Sequence, residues 1–235
     1  TLEDEMIIIE PFKGYPADLA GLKAGDKIIE IDGNKIQGYE GDARNLLKGT
    51  AGTTAKITYT REGNEAKTTV ERSAVEVDAV PYYKLVQGDV GYIVLTKFNK
   101  KTTVQTRSAL EDLKSQGATK IILDLRGNPG GLLNEAISIV NLFVPQGEVI
   151  TTTKSDIAKY NKVYKTTKEP EDLEIPLVVL VNGRSASASE IVSGGLQDLD
   201  RAVVVGARSF GKGLVQRPKK LTYGTQLKVT ISRYY

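Results

Sequence analysis

The fold of this chain is decided by residues 177–206, LVVLVNGRSASASEIVSGGLQDLDRAVVVG. Leu177 to Val181 is a short continuous apolar run, which is typical of a buried strand. Ala188 to Leu199 is predicted to form a helix, and Ala202 to Gly206 a second strand. Strand, helix and strand in this order require a crossover connection, which predicts a largely parallel sheet covered by helices.

The same alternation extends over residues 90–235 and predicts a single α/β domain there. Residues 154–174 are polar and mixed in charge, so we expect a surface excursion between two strands. Further strands are expected at Gly91–Phe98 and Lys120–Leu125, and further helices at Thr103–Ser115 and Leu132–Val144.

Residues 1–72 are predicted to form a separate, small β-rich domain. Thr54 to Arg61 and Glu65 to Arg72 alternate in polarity across a Glu-Gly-Asn turn, a pattern typical of a β-hairpin. Residues 73–89 are extended in character and are predicted to be the junction between the two domains.

Composition excludes several classes of function. The chain has 235 residues, and 40% hydrophobic with 26% charged residues is ordinary for a globular protein. A net charge of +3 without a basic cluster gives no indication of nucleic-acid binding. The longest apolar runs are far shorter than the ~20 residues that span a bilayer. The chain also lacks both histidine and cysteine. A Ser-His-Asp triad, a Cys-His pair and a histidine or thiolate metal site are therefore impossible, and no metal or cofactor is predicted.

A hydroxyl nucleophile in this chain needs a base other than histidine, and the sequence offers Ser187 with Lys212. Ser187 is predicted at a helix start, where free backbone N–H groups favour an anion. Residues 187–190, Ser-Ala-Ser-Glu, equally have the S-x-x-E form of a capping box, in which the serine only closes the helix. On this segment alone the cap is the favoured interpretation.

Lys212 lies between glycines in Ser209-Phe-Gly-Lys-Gly213, which gives a tight turn with little bulk around the amine. A neutral lysine can take a hydroxyl proton. A solvated loop lysine is the alternative. Nucleotide binding is rejected, because no Ser or Thr follows the lysine as the phosphate-binding motif requires.

A third segment, Asp124-Leu-Arg-Gly-Asn-Pro-Gly-Gly131, is also predicted between a strand and a helix. Paired glycines let a backbone present N–H groups to a ligand at close range. A structural turn is the alternative for these glycines taken alone. Three such segments at strand ends of one α/β sheet indicate a common site, because ligand sites in these sheets gather at the carboxyl ends of the strands.

Together, DLRGNPGG, NGRSASASEI with LQDLDRA, and SFGKGLVQ resemble the C-terminal processing peptidases, also called tail-specific proteases. The segment YPADLAGLKAGDKIIEIDG resembles the PDZ module of these enzymes. The resemblance covers nearly the whole chain. It implies a ClpP/crotonase-like α/β fold for residues 90–235. It also implies a PDZ-like domain at 1–72, expected to be incomplete because the family's carboxylate-binding loop and peptide-pairing strand precede the first residue.

The resemblance also implies roles for individual residues. Ser187 corresponds to the nucleophile, Lys212 to the general base and Gln216 to the residue that orients the lysine amine. The oxyanion donors correspond to the backbone N–H groups of Ala188 and of the turn at Gly130 and Gly131.

The implied activity is ATP-independent endopeptidase cleavage of unfolded or C-terminal-tail-exposed polypeptides. These polypeptides are the only predicted partners, with no nucleic acid and no membrane-spanning segment. The implied location is extracytoplasmic, either periplasmic or in the cell envelope. Asp198 matches an acid sometimes assigned to the site, but eleven residues along one helix separate it from Ser187 by ~16 Å. We therefore expect an ion pair between Asp198 and Arg201 instead.

Two other functions remain open at the level of sequence. The same scaffold also suits a non-catalytic module that binds peptides or small ligands, because fold does not fix function. Acyl-CoA chemistry on a crotonase-like sheet is a third interpretation, disfavoured by a module that indicates polypeptide substrates.

Overall fold

The computed structural model describes residues 5–36, 45–222 and 225–235. The chain divides into two units, Thr1–Val77 and Asp78–Tyr235. Each unit has a hydrophobic core of its own. None of the helices in the described ranges has the length and apolarity that a bilayer crossing requires.

The first unit is built around an antiparallel sheet. Its strand order is β1-β2-β4-β5, with β3 paired to β2. The predicted hairpin is confirmed, and Glu62 and Gly63 at its tip both have positive φ, 50° and 80°, as the favoured two-residue hairpin turn requires. The elements are β1 (Met6–Ile7), α1 (Pro16–Leu19), β2 (Lys27–Ile31), β3 (Asn34–Lys35), β4 (Thr54–Arg61) and β5 (Asn64–Glu71).

The second unit alternates strands and helices as predicted. Its elements are β6 (Tyr82–Val86), β7 (Val90–Val94), α2 (Thr102–Ser115), β8 (Lys120–Asp124), α3 (Leu133–Asn141), β9 (Val149–Lys154), β10 (Lys162–Lys165), β11 (Leu177–Val181), α4 (Ala188–Asp198), β12 (Val203–Gly206), β13 (Leu214–Lys220) and β14 (Gln226–Tyr234). Strands β12, β11, β8 and β7 are parallel neighbours, and β6 closes the sheet antiparallel to β7. The α/β class with a largely parallel sheet is therefore confirmed.

Apolar side chains in register bury the centre of this sheet. Ile93, Leu123 and Val179 are cross-strand partners on β7, β8 and β11, and none is more than 1% exposed. Because three adjacent parallel strands are fixed in this way, their carboxyl ends lie at one edge. The loops that follow β8, β11 and β12 leave the sheet at this edge.

A second sheet, in the order β10-β9-β14-β13, was not predicted. Residues 154–174, expected to be a surface excursion, include β10, which pairs antiparallel with β9. The polar sequence of β9 concealed this sheet, because Thr151 and Thr153 are buried with their hydroxyls bonded to backbone carbonyls. The predicted junction 73–89 likewise includes β6, which is the antiparallel edge strand of the largely parallel sheet.

Candidate active site

The glycine turn after β8 is held at the sheet edge by Asn128. This side chain is fully buried. Its Nδ2 donates to the Leu95 carbonyl oxygen at 2.8 Å, and its Oδ1 accepts the Gly130 N–H at 2.9 Å. The Asn128 carbonyl oxygen accepts the Ala186 N–H at 3.0 Å. Asn128 therefore fixes the glycine turn to the end of β7 and to the serine loop that follows β11.

Of the three serines in the Ser-Ala-Ser-Ala-Ser segment, two hold the loop in place. Ser185 is fully buried, and its hydroxyl donates to the Leu125 carbonyl oxygen at 2.8 Å. Ser189 is fully buried too, and its hydroxyl donates to the Asn128 carbonyl oxygen at 2.9 Å. Ser187, between them, is partly exposed. It is therefore the serine of this segment that a substrate can reach.

Ser187 has a strained backbone. It is the N-cap residue of α4, with φ 58° and ψ −111°. A non-glycine residue rarely adopts this conformation, and such strain clusters at functional sites. A sharp strand-to-helix turn also exposes the nucleophile of α/β-hydrolases in their G-x-S-x-G motif. Here Ser185 and Ser189 stand where that motif has its glycines.

Gly130 lies against the backbone of this turn. A Cβ atom at Gly130 would come within 2.6 Å of the Ala186 carbonyl oxygen and 2.9 Å of the Ala188 nitrogen. Its φ of +95° is a second reason why a side chain is disfavoured. The glycine turn predicted from the sequence is thus in direct contact with the peptide that follows Ser187.

Glu190 connects the serine turn to the lysine turn. Its Oε2 accepts the backbone N–H groups of Ser187 at 2.6 Å and Lys212 at 2.9 Å. Its Oε1 accepts the Gly211 N–H at 2.6 Å and the Ser209 hydroxyl at 2.8 Å. The Glu190 half of the predicted capping box, in which its carboxylate accepts the Ser187 N–H, is therefore confirmed. Sequence reasoning missed the three bonds from the lysine turn to Glu190, for which the only signal was the S-x-x-E pattern.

Ser187 and Lys212 line the same open cavity, which has a volume of about 330 Å³. Lys212 is half-buried beside it. Tyr234 also lines the cavity, and burial raises the pKa of its hydroxyl. The structure thus brings together the two residues that the sequence singled out.

The backbone donors near Ser187 differ in availability. Ala188 is the first residue of α4, so its N–H has no acceptor within the helix. The Gly130 N–H, by contrast, is already donated to Asn128. Phe98 forms a β-bridge with Gly131: its N–H donates to the Gly130 carbonyl oxygen, and its carbonyl oxygen accepts the Leu132 N–H. No hydrogen bond among the described residues uses the Gly131 N–H itself. Of the two predicted glycine donors, Gly131 is therefore the free one.

The structure does not place Gln216 with these residues. Gln216 lies on β13 and is exposed, and its amide donates to the Thr230 hydroxyl oxygen at 3.4 Å. It is not among the residues that line the cavity around Ser187 and Lys212. Its role in orienting the lysine amine stays a prediction.

The expected ion pair between Asp198 and Arg201 is wrong. The Arg201 guanidinium donates instead to the carbonyl oxygens of Phe143, Asp172 and Ile175. It satisfies carbonyl groups of the loops around it, and burial lowers its pKa. Asp198 is exposed at the far end of the cavity that begins at Ser187.

Asp124 and Arg126 anchor the start of the glycine turn. Asp124 is buried and accepts bonds from Arg126 Nε at 3.0 Å and Nη2 at 2.7 Å, and from the Tyr92 hydroxyl. Burial alone would raise the pKa of Asp124, but the hydrogen bonds from Arg126 and Tyr92 outweigh it and lower the pKa. In the part of the chain that the structure describes, no group of three acidic side chains is arranged to hold a metal.

Comparison with known proteins identifies the family. The model of peptidase family S41 matches residues 89–235, and the PDZ domain model matches residues 1–71. The chain belongs to peptidase family S41. As an S41 chain with a PDZ domain, it combines the two modules that the sequence motifs indicated.

Relatives of this S41 chain are processing proteases. It is 40% identical over 245 residues to the carboxy-terminal-processing protease of Bartonella bacilliformis, which covers 100% of this chain and 55% of that protein. It is 34% identical over 239 residues to the carboxy-terminal processing protease CtpA of Bacillus subtilis, covering 99% of this chain and 50% of that protein. The chain thus spans about half the length of these relatives.

A solved structure agrees in fold with this S41 chain. The photosystem II D1 C-terminal processing protease superposes with a TM-score of 0.63 and 30% sequence identity. The match covers 99% of this chain and 64% of that protein.

Proposed function

We propose that this chain is the core of a serine endopeptidase in which Ser187 is the nucleophile and Lys212 the general base. The observation that carries the proposal is a strained, partly exposed serine that shares one cavity with a lysine, in a chain of peptidase family S41. The absence of histidine leaves lysine as the base for a serine nucleophile.

In the proposed mechanism, the neutral Lys212 amine takes the Ser187 hydroxyl proton as Oγ attacks the carbonyl carbon of the scissile peptide bond. The tetrahedral intermediate collapses when the ammonium returns this proton to the leaving amine, and an acyl-enzyme ester remains on Ser187. Water attacks this ester with Lys212 again acting as the base, which releases the carboxylate product and restores the hydroxyl.

We assign the oxyanion hole to the N–H groups of Ala188 and Gly131. Both are free of protein acceptors among the described hydrogen bonds, and Gly130 packs the two turns together. Donors fixed in this way stabilise the developing charge without reorganisation, and a single such donor contributes about 10²–10³ in kcat.

The proposed substrates are unfolded polypeptides or exposed C-terminal tails, cleaved without ATP. The proposal rests on the names of the S41 relatives and on the PDZ domain match at residues 1–71. We further propose that residues 1–72 deliver peptide, that 73–89 join the domains, and that 90–235 form a ClpP/crotonase-like core. The proposed location is extracytoplasmic, in the periplasm or the cell envelope.

Cleavage of casein by the Ser187→Ala variant tests the nucleophile. The variant is expected to lose cleavage while its circular dichroism spectrum is unchanged, and cleavage at the wild-type rate would refute the assignment. Lys212→Arg tests the base, since a guanidinium stays protonated and accepts no proton. It is expected to be nearly inactive.

A non-catalytic binding module would behave differently in the same assay. Covalent labelling of Ser187 by a fluorophosphonate probe is expected for the wild type and absent in Lys212→Arg. Equal labelling of both proteins would show a hydroxyl without an activating base.

A further inference from the structure

One face of α4 lines the cavity along its whole length, beginning at Ser187. Ser187, Ile191, Gly194 and Asp198 are spaced by four, three and four residues, so they lie on the same side of the helix. At a rise of 1.5 Å per residue this face extends ~16 Å from Ser187 to Asp198. The cavity therefore leads away from the proposed nucleophile along the helix.

Apart from Glu190 and Lys212, the walls of this cavity near Ser187 are mostly apolar. Ile191, one turn from Ser187, is buried, and so is Ile150 on β9. Tyr234 on β14 adds a half-buried aromatic ring. The charged group at the far end, Asp198, is exposed to solvent. Walls of this kind suit an aliphatic side chain and disfavour an acidic one.

The two adjacent glycines of α4 have different surroundings. A Cβ atom on Gly195 would lie 3.0 Å from Ile150 Cγ2, which is tighter than an ordinary contact. A Cβ atom on Gly194 would meet no other described residue within 4 Å outside its own helix backbone and chain neighbours. Glycine in a helix interior is destabilising relative to alanine. Packing explains Gly195, whereas nothing in the fold requires a glycine at 194.

We infer that Gly194 sets the depth of a pocket for the substrate side chain on the acyl side of the cleaved bond. The inference rests on the proposed function, because the pocket is defined by its continuity with Ser187. The acyl carbon must come within bonding distance of Ser187 Oγ, so the side chain of that residue is the one held beside the cavity. Without a side chain at 194, the cavity stays open beyond Ile191.

The test compares wild type and Gly194→Val on two series of quenched fluorescent peptides. One series varies the residue before the cleaved bond among Ala, Leu and Asp, and the other varies the residue after it. Wild type is expected to cleave after Leu and Ala and poorly after Asp. Gly194→Val is expected to lose about 10- to 100-fold in kcat/KM for Leu while Ala changes by less than about threefold, since hydrophobic pockets discriminate aliphatic groups on this scale.

Gln197→Val is the matched control, since it places the same side chain on the exposed surface of the same helix, outside the cavity. It is expected to leave both peptide series unchanged. Retained cleavage after Ala shows that Gly194→Val is folded. Gly194→Ala, a better helix former, is expected to shift the preference in the same direction by a smaller factor.

Each result has a distinct meaning. A selective loss for Leu before the cleaved bond supports the pocket. An equal loss for Leu and Ala, an unchanged profile, or a change confined to the residue after the bond overturns it and leaves the proposed peptidase function standing. A wild-type chain that cleaves none of the peptides overturns both.

Discussion

The Glu190→Gln substitution is the sharpest test of how this site is assembled. Glu190 is the sole side chain among the described residues that bonds both the Ser187 turn and the Lys212 turn, and its two oxygens accept four hydrogen bonds. Glu190→Gln keeps the size of the side chain. It replaces one accepting oxygen by an NH₂ group, and every partner of Glu190 is itself a donor.

The magnitude follows from these contacts. The amide keeps most of its bonding with the NH₂ group toward Ser209, whose hydroxyl can accept as well as donate, so that one donor, the Gly211 N–H, is left unpaired. A hydrogen bond to a charged acceptor is worth about 1.5–3 kcal/mol, and this is the bonding that is lost. Expressed as transition-state destabilisation, that loss lowers kcat/KM by about 10- to 150-fold.

The assay is steady-state cleavage of a fluorescent peptide alongside thermal unfolding. Glu190→Gln is expected to lose activity while its unfolding transition stays cooperative, because the lost bonds join two loops at the sheet edge. Ser209→Ala is the matched control. It removes one of the four bonds, the 2.8 Å bond from the Ser209 hydroxyl, without adding a donor, so its loss of activity is expected to be smaller. Activity of Glu190→Gln within twofold of the wild type would refute the view that this carboxylate sets the distance between Ser187 and Lys212.

Three further changes test the surroundings of Ser187. Because its pKa is lowered in the folded state, Asp124 contributes stability that is present above its unfolded pKa of about 3.9 and is lost as pH falls through the folded value. Asp124→Asn is therefore expected to weaken the fall of the melting temperature with pH below about pH 4. Gly130→Ala is expected to reduce activity and stability far more than Gly127→Ala. Both glycines have positive φ, but only at Gly130 would a Cβ atom meet a backbone atom at 2.6 Å. Equal losses of the two variants in activity assays and urea unfolding would contradict this. Ser187→Gly is expected to abolish cleavage yet raise the free energy of unfolding by about 1 kcal/mol, because glycine relieves the backbone strain at φ 58°. A variant that calorimetry shows to be less stable than the wild type would exclude stored strain at this residue.

The parallel sheet was predictable because its strands carry apolar residues on both faces. Leu177–Val181 is the clearest case, with apolar residues throughout and every second side chain buried. The antiparallel sheet of β9, β10, β13 and β14 was not predictable by the same reasoning. Its buried threonines satisfy their hydroxyls on backbone carbonyls, and sequence patterns register polarity rather than satisfied hydrogen bonds.

The candidate site was predictable to a similar, limited extent. Ser187 and Lys212 were predicted because histidine is absent and glycines flank the lysine. The choice of Ser187 among three serines depended on family resemblance, since local sequence does not reveal that Ser185 and Ser189 donate to carbonyls of another loop. Those acceptors lie 60 and 61 residues away in the chain, so the structure alone supplies this local reason.

The role of Glu190 differs from that of the acid in a Ser-His-Asp triad. In a Ser-His-Asp triad the carboxylate contacts the base itself and fixes its orientation. In this chain the carboxylate contacts the backbone N–H groups of Ser187 and Lys212, and so fixes where both side chains start. A lysine amine stands on a flexible four-carbon stem, so one contact at its tip determines less than a fixed backbone does. A residue that acts through backbone bonds has no spacing rule of its own. In sequence it is indistinguishable from the acid of a helix cap.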